Sequence, residues 1–127
     1  MSLRTLTLAG LLALAPFPAA AQDPAPVANA PIEMVADLAE VLGRAHAVRT
    51  VCNGDNDLTW RNYMISLMAI EAPSGSRRAA LTEAFNRGYR GQNRETSSCT
   101  DQAPAIEAGI ARRGRELADA IARNYLN

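Results

Sequence analysis

The sequence predicts an all-α protein, a compact four-helix bundle closed by one disulfide. Three observations carry that reading. Apolar residues recur at helical spacing in four stretches, nothing alternates as a strand would, and glycine- or proline-marked breaks separate the stretches. The only two cysteines, Cys52 and Cys99, fall at the end of the first stretch and just before the last.

Residues 1–21 read as a secretory signal. Arg4 gives a positive start, Leu6 to Ala15 is an apolar run, and Pro16 and Pro18 precede the small residues Ala19, Ala20 and Ala21. The small-x-small rule places cleavage after Ala21. The run is shorter than the ~20 residues a membrane span needs, so no span is expected in the mature chain. Residues 22–31 carry three prolines and little to bury, which predicts an extended linker. Residues 32–127 then form one helical domain. The expected compartment is periplasmic or fully secreted.

All thirteen basic residues are arginine, against thirteen acids. Removing the signal deletes Arg4 and leaves the mature chain with one excess acid. That balance argues against nucleic-acid binding, which normally shows a basic excess.

The first helix is expected from Pro31 to Val51, with Glu33 and Asp37 near its positive end. Met34, Leu38, Val41, Leu42, Ala45 and Val48 share one stripe, and Cys52 continues it. Arg49 projects from this stripe and His46 sits at its edge. Gly54 ends the helix, and Asp57 is placed to cap the next.

Leu58 to Glu71 reads as a second helix, apolar on most sides and therefore expected at the centre of the bundle. Glu71 falls in line with Trp60 and Met64. Two neighbouring helices would thus each turn one charge inward, Arg49 and Glu71, and an unpaired buried charge is costly. An Arg49–Glu71 contact is expected, with Arg61 as the rival partner for Glu71.

Pro73 stops that helix, and Ser74 or Ser76 can cap a third, running from about Arg77 to Asn93. Leu81, Phe85, Gly88, Tyr89 and Gln92 form its inner face. Gly88, unfavourable in a helix by about 1 kcal/mol relative to alanine, implies a close neighbour. Arg87, Arg90 and Arg94 lie opposite, either as a solvated face partly neutralised by Glu83 or as a binding stripe for an anionic polymer. The fourth helix starts near Thr100 or Asp101 with Pro104 in its first turn. Its stripe is Ala103, Ile106, Ile110, Gly114, Leu117, Ile121 and Tyr125, with Arg112, Arg115, Asp119 and Arg123 facing outward.

Two cysteines behind a secretion signal are expected to be oxidised to a structural disulfide. The pair lacks the C-x-x-C spacing of a redox site. Together with the single histidine, His46, it supplies only three of the four ligands zinc normally wants, so no metal or other cofactor is expected. No nucleophile elbow, phosphate loop, zinc-protease or haem-attachment motif occurs. For a hydrolase the available groups are Glu71, whose carboxyl burial would shift, and His46.

Several of these residues together resemble a known family. Leu42, Gly43, His46, Arg49 and Cys52 (LGRAHAVRTVC), Trp60-Arg61 with Met64 and Glu71, the FNRGYR run from Phe85 to Arg90, Cys99, and the Gly114–Leu117 pair carry the likeness. The chain resembles an uncharacterised alphaproteobacterial family of small secreted proteins with two well-separated cysteines, a domain of unknown function. The likeness spans about Val35 to Tyr125. Before Cys99 the family pattern implies an aromatic where this chain has Glu95-Thr96-Ser97-Ser98, implying looser packing beside the crosslink. The family implies a disulfide and an envelope location, and no activity.

His46, Arg49, Trp60, Arg61, Glu71, Asn86 and Tyr89 come from three helices and are expected to converge. The first reading is a polar network in the core; the second is a shallow binding pocket. The function these observations predict is a non-catalytic binding or scaffolding protein of the cell envelope, with an envelope protein or anionic envelope polymer as partner. A small envelope hydrolase using Glu71 or His46 is the alternative from another class, and a purely structural protein is the third.

Overall fold

The computed structural model describes residues 30–126, so the expected signal peptide and the linker up to residue 29 lie outside the described residues. Four helices follow in order: α1 (Ile32–Asn53), α2 (Thr59–Glu71), α3 (Gly75–Glu95) and α4 (Ala103–Asn124). No strand occurs among the described residues.

The helix ends follow from local chemistry. Gly54, at a φ of 87°, turns the chain out of α1 while its N–H still reaches the Thr50 carbonyl at 2.8 Å. Asp57 Oδ1 accepts the Thr59 N–H at 3.1 Å, so Asp57 caps α2 from one residue further out than the usual position. Pro73 closes α2, and Gly75, at a φ of 75°, starts α3 two residues earlier than the sequence suggests. Pro104 sits in the first turn of α4, where its missing N–H is harmless.

The helix at the centre is α1, contrary to the expectation for α2. It packs against all three others, most extensively α3, whereas the α4 backbone approaches α1 alone. Val35, Leu38, Ala39, Leu42, Ala45, Ala47 and Val48 are buried on it, while only Met64 and Glu71 are buried on α2. The reason lies in side-chain size. Ala39, Gly43, Ala45 and Ala47 give α1 a thin profile that neighbours can crowd from several directions. The bulky α2 is only thirteen residues long and leaves Tyr63, Ile65 and Ile70 more than half exposed. Its apolar periphery is therefore surface.

At the α1–α3 crossing the two backbones touch. A Cβ on Gly43 would strike the Phe85 carbonyl and lie 2.9 Å from the Tyr89 nitrogen; a Cβ on Gly88 would strike the Glu40 carbonyl. The close neighbour expected at Gly88 is thus the α1 backbone. Leu117 and Ile121 of α4 join Leu38, Leu42, Met64 and Leu81 in the main core. Cys52 and Cys99 are bonded, tying the end of α1 to the segment before α4.

Candidate functional site

Between α2 and α3, with α1 as its floor, lies a cleft of about 490 Å³. Two helical stripes form its walls. On α2 these are Arg61, Ile65 and Met68, spaced i, i+4, i+7; on α3, Arg78, Thr82, Phe85, Asn86 and Tyr89 occupy a single flank. The walls stand apart because α2 and α3 make little contact, each being held on α1 instead. Met64 and His46 complete the base.

His46 is the most informative group. It is 8% exposed, and Phe85 and Tyr89 flank it with ring centroids 5.7 and 5.5 Å away. Its Nδ1 is fully buried without a hydrogen-bond partner, and no described residue bonds the other nitrogen. Burial lowers its pKa, and the nearby Arg61 charge lowers it further, against smaller opposing pulls from Asp57 and Asp55. The imidazole is therefore neutral at pH 7, offering one donor and one acceptor.

The charge in the cleft has one sign. Arg61 and Arg78 are the ionised groups of its lining, and no carboxylate reaches it. Arg61 has no ion-pair partner among the described residues, while Arg78 makes a single long contact, Nη1 to the Ala72 carbonyl at 3.4 Å. The two lie toward opposite ends. Arg61 neighbours His46 electrostatically, and Arg78 is eleven residues before Tyr89, about 16 Å along α3 at 1.5 Å per residue.

Four of the seven residues singled out from the sequence line this cleft: His46, Arg61, Asn86 and Tyr89. The other three lie elsewhere, and the Arg49–Glu71 pair does not form. Arg49 gives Nε to Glu107 Oε1 at 2.7 Å and Nη1 to Asp57 at 3.4 Å. Trp60 donates its indole N–H to the same Glu107 oxygen at 2.7 Å, so Glu107 of α4 gathers both. Glu71, 3% exposed, accepts from the Tyr125 hydroxyl at 2.6 Å and pairs with Arg77 at 3.3 Å. Arg77 also donates to the Ala30 and Glu71 carbonyls at 2.7 and 2.6 Å. Each inward charge found an opposite charge, but one offered by another element. Neither Arg61 nor Arg49 holds Glu71.

Two of the three outward arginines of α3 are engaged too. Arg87 pairs with Glu40 at 2.8 Å and Arg90 with Glu83 at 2.8 Å, which leaves the basic stripe largely neutralised. Among the described residues no group of three His, Cys, Asp or Glu side chains could hold a metal ion, and no helix is long and apolar enough to cross a membrane.

A family model matches residues 32–125, all four helices and most of the chain. The chain belongs to that family, described as protein of unknown function (DUF2385). No curated protein and no solved structure matches it. In this DUF2385 domain the residues that sequence reasoning did not assign to the cleft are Met64, Ile65, Met68, Arg78, Thr82 and Phe85. Their signal was available. Arg78, Thr82, Phe85 and Tyr89 repeat at i, i+4, i+7 and i+11, one step round the helix from the buried line through Leu81 and Gly88, and such a flank faces a neighbour.

Proposed function

We propose that this protein is a non-catalytic binding protein of the bacterial cell envelope, exported by the signal-like residues 1–21 and recognising an anionic envelope component through the α2–α3 cleft. The observation that carries this reading is an acid-free cleft holding two arginines above a buried histidine with no protein partner. Groups left in that state are stabilised when something else supplies the missing hydrogen bonds and charge. The disulfide suits an oxidising compartment, where such bonds persist. An alphaproteobacterial origin belongs to the same reading, on the family resemblance.

The hydrolase alternative has less support. Glu71 is outside the cleft with its carboxylate engaged by Arg77 and Tyr125, and no carboxylate orients His46 as a general base requires. A photoreactive residue placed at Thr82 in intact cells tests the binding reading, with Arg115 on the outer face of α4 as the control position. Thr82 is expected to give a crosslinked envelope component that Arg115 does not. Equal or empty capture at the two positions would sink the reading.

A further inference from the structure

The chemistry of the cleft narrows the ligand it can take, an inference that rests on the binding reading above. The base and both walls carry apolar groups: Met64 below, Ile65 and Met68 on α2, and Phe85 on α3. Methionines make such a surface adaptable to irregular chains, since the unbranched thioether adjusts its rotamers. Guanidinium groups stand toward both ends, and a polar, unpartnered imidazole more than nine-tenths buried opens onto the floor. The volume, about 490 Å³, falls within the range of small-molecule sites and is small for a docked helix.

Charge decides the headgroup. With two arginines and no carboxylate among the lining residues, a cationic ligand is repelled on balance, and a neutral apolar one would cover the exposed Arg61 without giving it or His46 a partner. A nucleotide-sized polyanion would bury its many polar atoms against methionine, isoleucine and phenylalanine. A single anionic group on an apolar body satisfies every part. We infer that the cleft binds an anionic amphiphile, its headgroup between Arg61 and His46 and its apolar body along Met64, Ile65, Met68 and Phe85 toward Arg78. A carboxylate and a phosphate monoester meet the same donors, so a fatty acid, or an envelope lipid whose headgroup is a phosphate monoester, presents this chemistry.

Calorimetric titration of the disulfide-bonded protein, purified from a secreting host, tests the inference with dodecanoate, dodecyl phosphate and neutral dodecanol, each below its aggregation threshold. At least one of the two anions is expected to bind one to one and at least tenfold more tightly than dodecanol. The tighter of the two identifies the headgroup, carboxylate or phosphate. Arg61→Gln should weaken that anion about tenfold or more, as loss of a charge-assisted hydrogen bond does, and leave dodecanol unchanged. Thr82→Trp, which fills the cleft from a side chain exposed in the free protein, should abolish binding of all three. Equal affinity for dodecanol, indifference to Arg61→Gln, or absence of binding by either anion would overturn the inference. Should that happen while Thr82 still captures an envelope component in cells, the ligand class is wrong and the binding reading stands; failure of both experiments removes both.

Discussion

A methyl group at residue 88 has nowhere to go, because its site is taken by the Glu40 carbonyl of α1, and backbone cannot step aside as a flexible side chain would. Gly88→Ala is therefore expected to destabilise the protein by about 3 kcal/mol, the upper end of overpacking effects, as a lowered urea midpoint. Gly91, one turn along, faces open space. There the same substitution should stabilise by about 0.5–1 kcal/mol through helix propensity alone. The strain at residue 88 was legible from a glycine on a helix's inner face; its counterpart Gly43 was not, because α1 already carried a complete apolar stripe. His46 makes a second prediction at this scale. Its folded-state pKa lies below the ordinary value near 6.5, mainly through burial, with Arg61 adding to it and Asp57 and Asp55 opposing; the Tyr89 ring packs beside it. The unfolded chain thus binds a proton more readily. Stability is undiminished above about pH 6.5 and falls as the pH drops below it, and His46→Phe should flatten that slope in urea titrations between pH 7.5 and 5.

Helical periodicity located all four elements to within a few residues, because each apolar stripe meets a neighbour and each break carries glycine or proline. It did not reveal which neighbour. Stepping around α2 shows that Glu71 points inward, yet the groups that meet it come from the start of α3 and the end of α4, Arg77 and Tyr125. Likewise Arg49 is met by Glu107. Partner choice depends on the crossing of whole helices, and a single helix's pattern does not contain it. The same gap explains the misplacement of α2 at the centre. Periodicity measures how apolar one face is, whereas the central place went to the helix that buries residues on several faces, Val35, Ala39, Gly43, Ala47 and Thr50 as well as its apolar stripe. Glu71 now ties the end of α2 to α3 through Arg77 and to the end of α4 through Tyr125. Glu71→Ala, which takes the carboxylate from the half-buried Arg77 and from the Tyr125 hydroxyl, should lower stability by about 2–3 kcal/mol by chemical denaturation. Restoring hydrogen bonding in Glu71→Gln is expected to recover part of that loss through Tyr125.

Across the whole molecule α1 is a mast on which the other helices hang, and the Cys52–Cys99 bond closes a loop that contains α2 and α3 entirely. With the cysteines 47 positions apart in sequence, the crosslink restricts the unfolded chain by about 4 kcal/mol in the chain-entropy model. Cys52→Ser/Cys99→Ser should shift the urea midpoint by a corresponding amount while leaving the cleft intact, since its walls are seated on α1 and touch neither sulfur. The disulfide was readable because it rests on a count of two cysteines and on their places at the helix ends. The cleft was readable only in part, since it is made by two helices failing to meet above a third. That gap carries the binding proposal: the space between α2 and α3 over His46 is where a partner would be recognised. His46 is the chain's single histidine, so its imidazole gives one unambiguous set of nuclear magnetic resonance signals. Titrating the disulfide-bonded protein with envelope extract from its own source should shift those signals saturably. Saturable shifts elsewhere in the protein, with the His46 signals unmoved, would contradict the account.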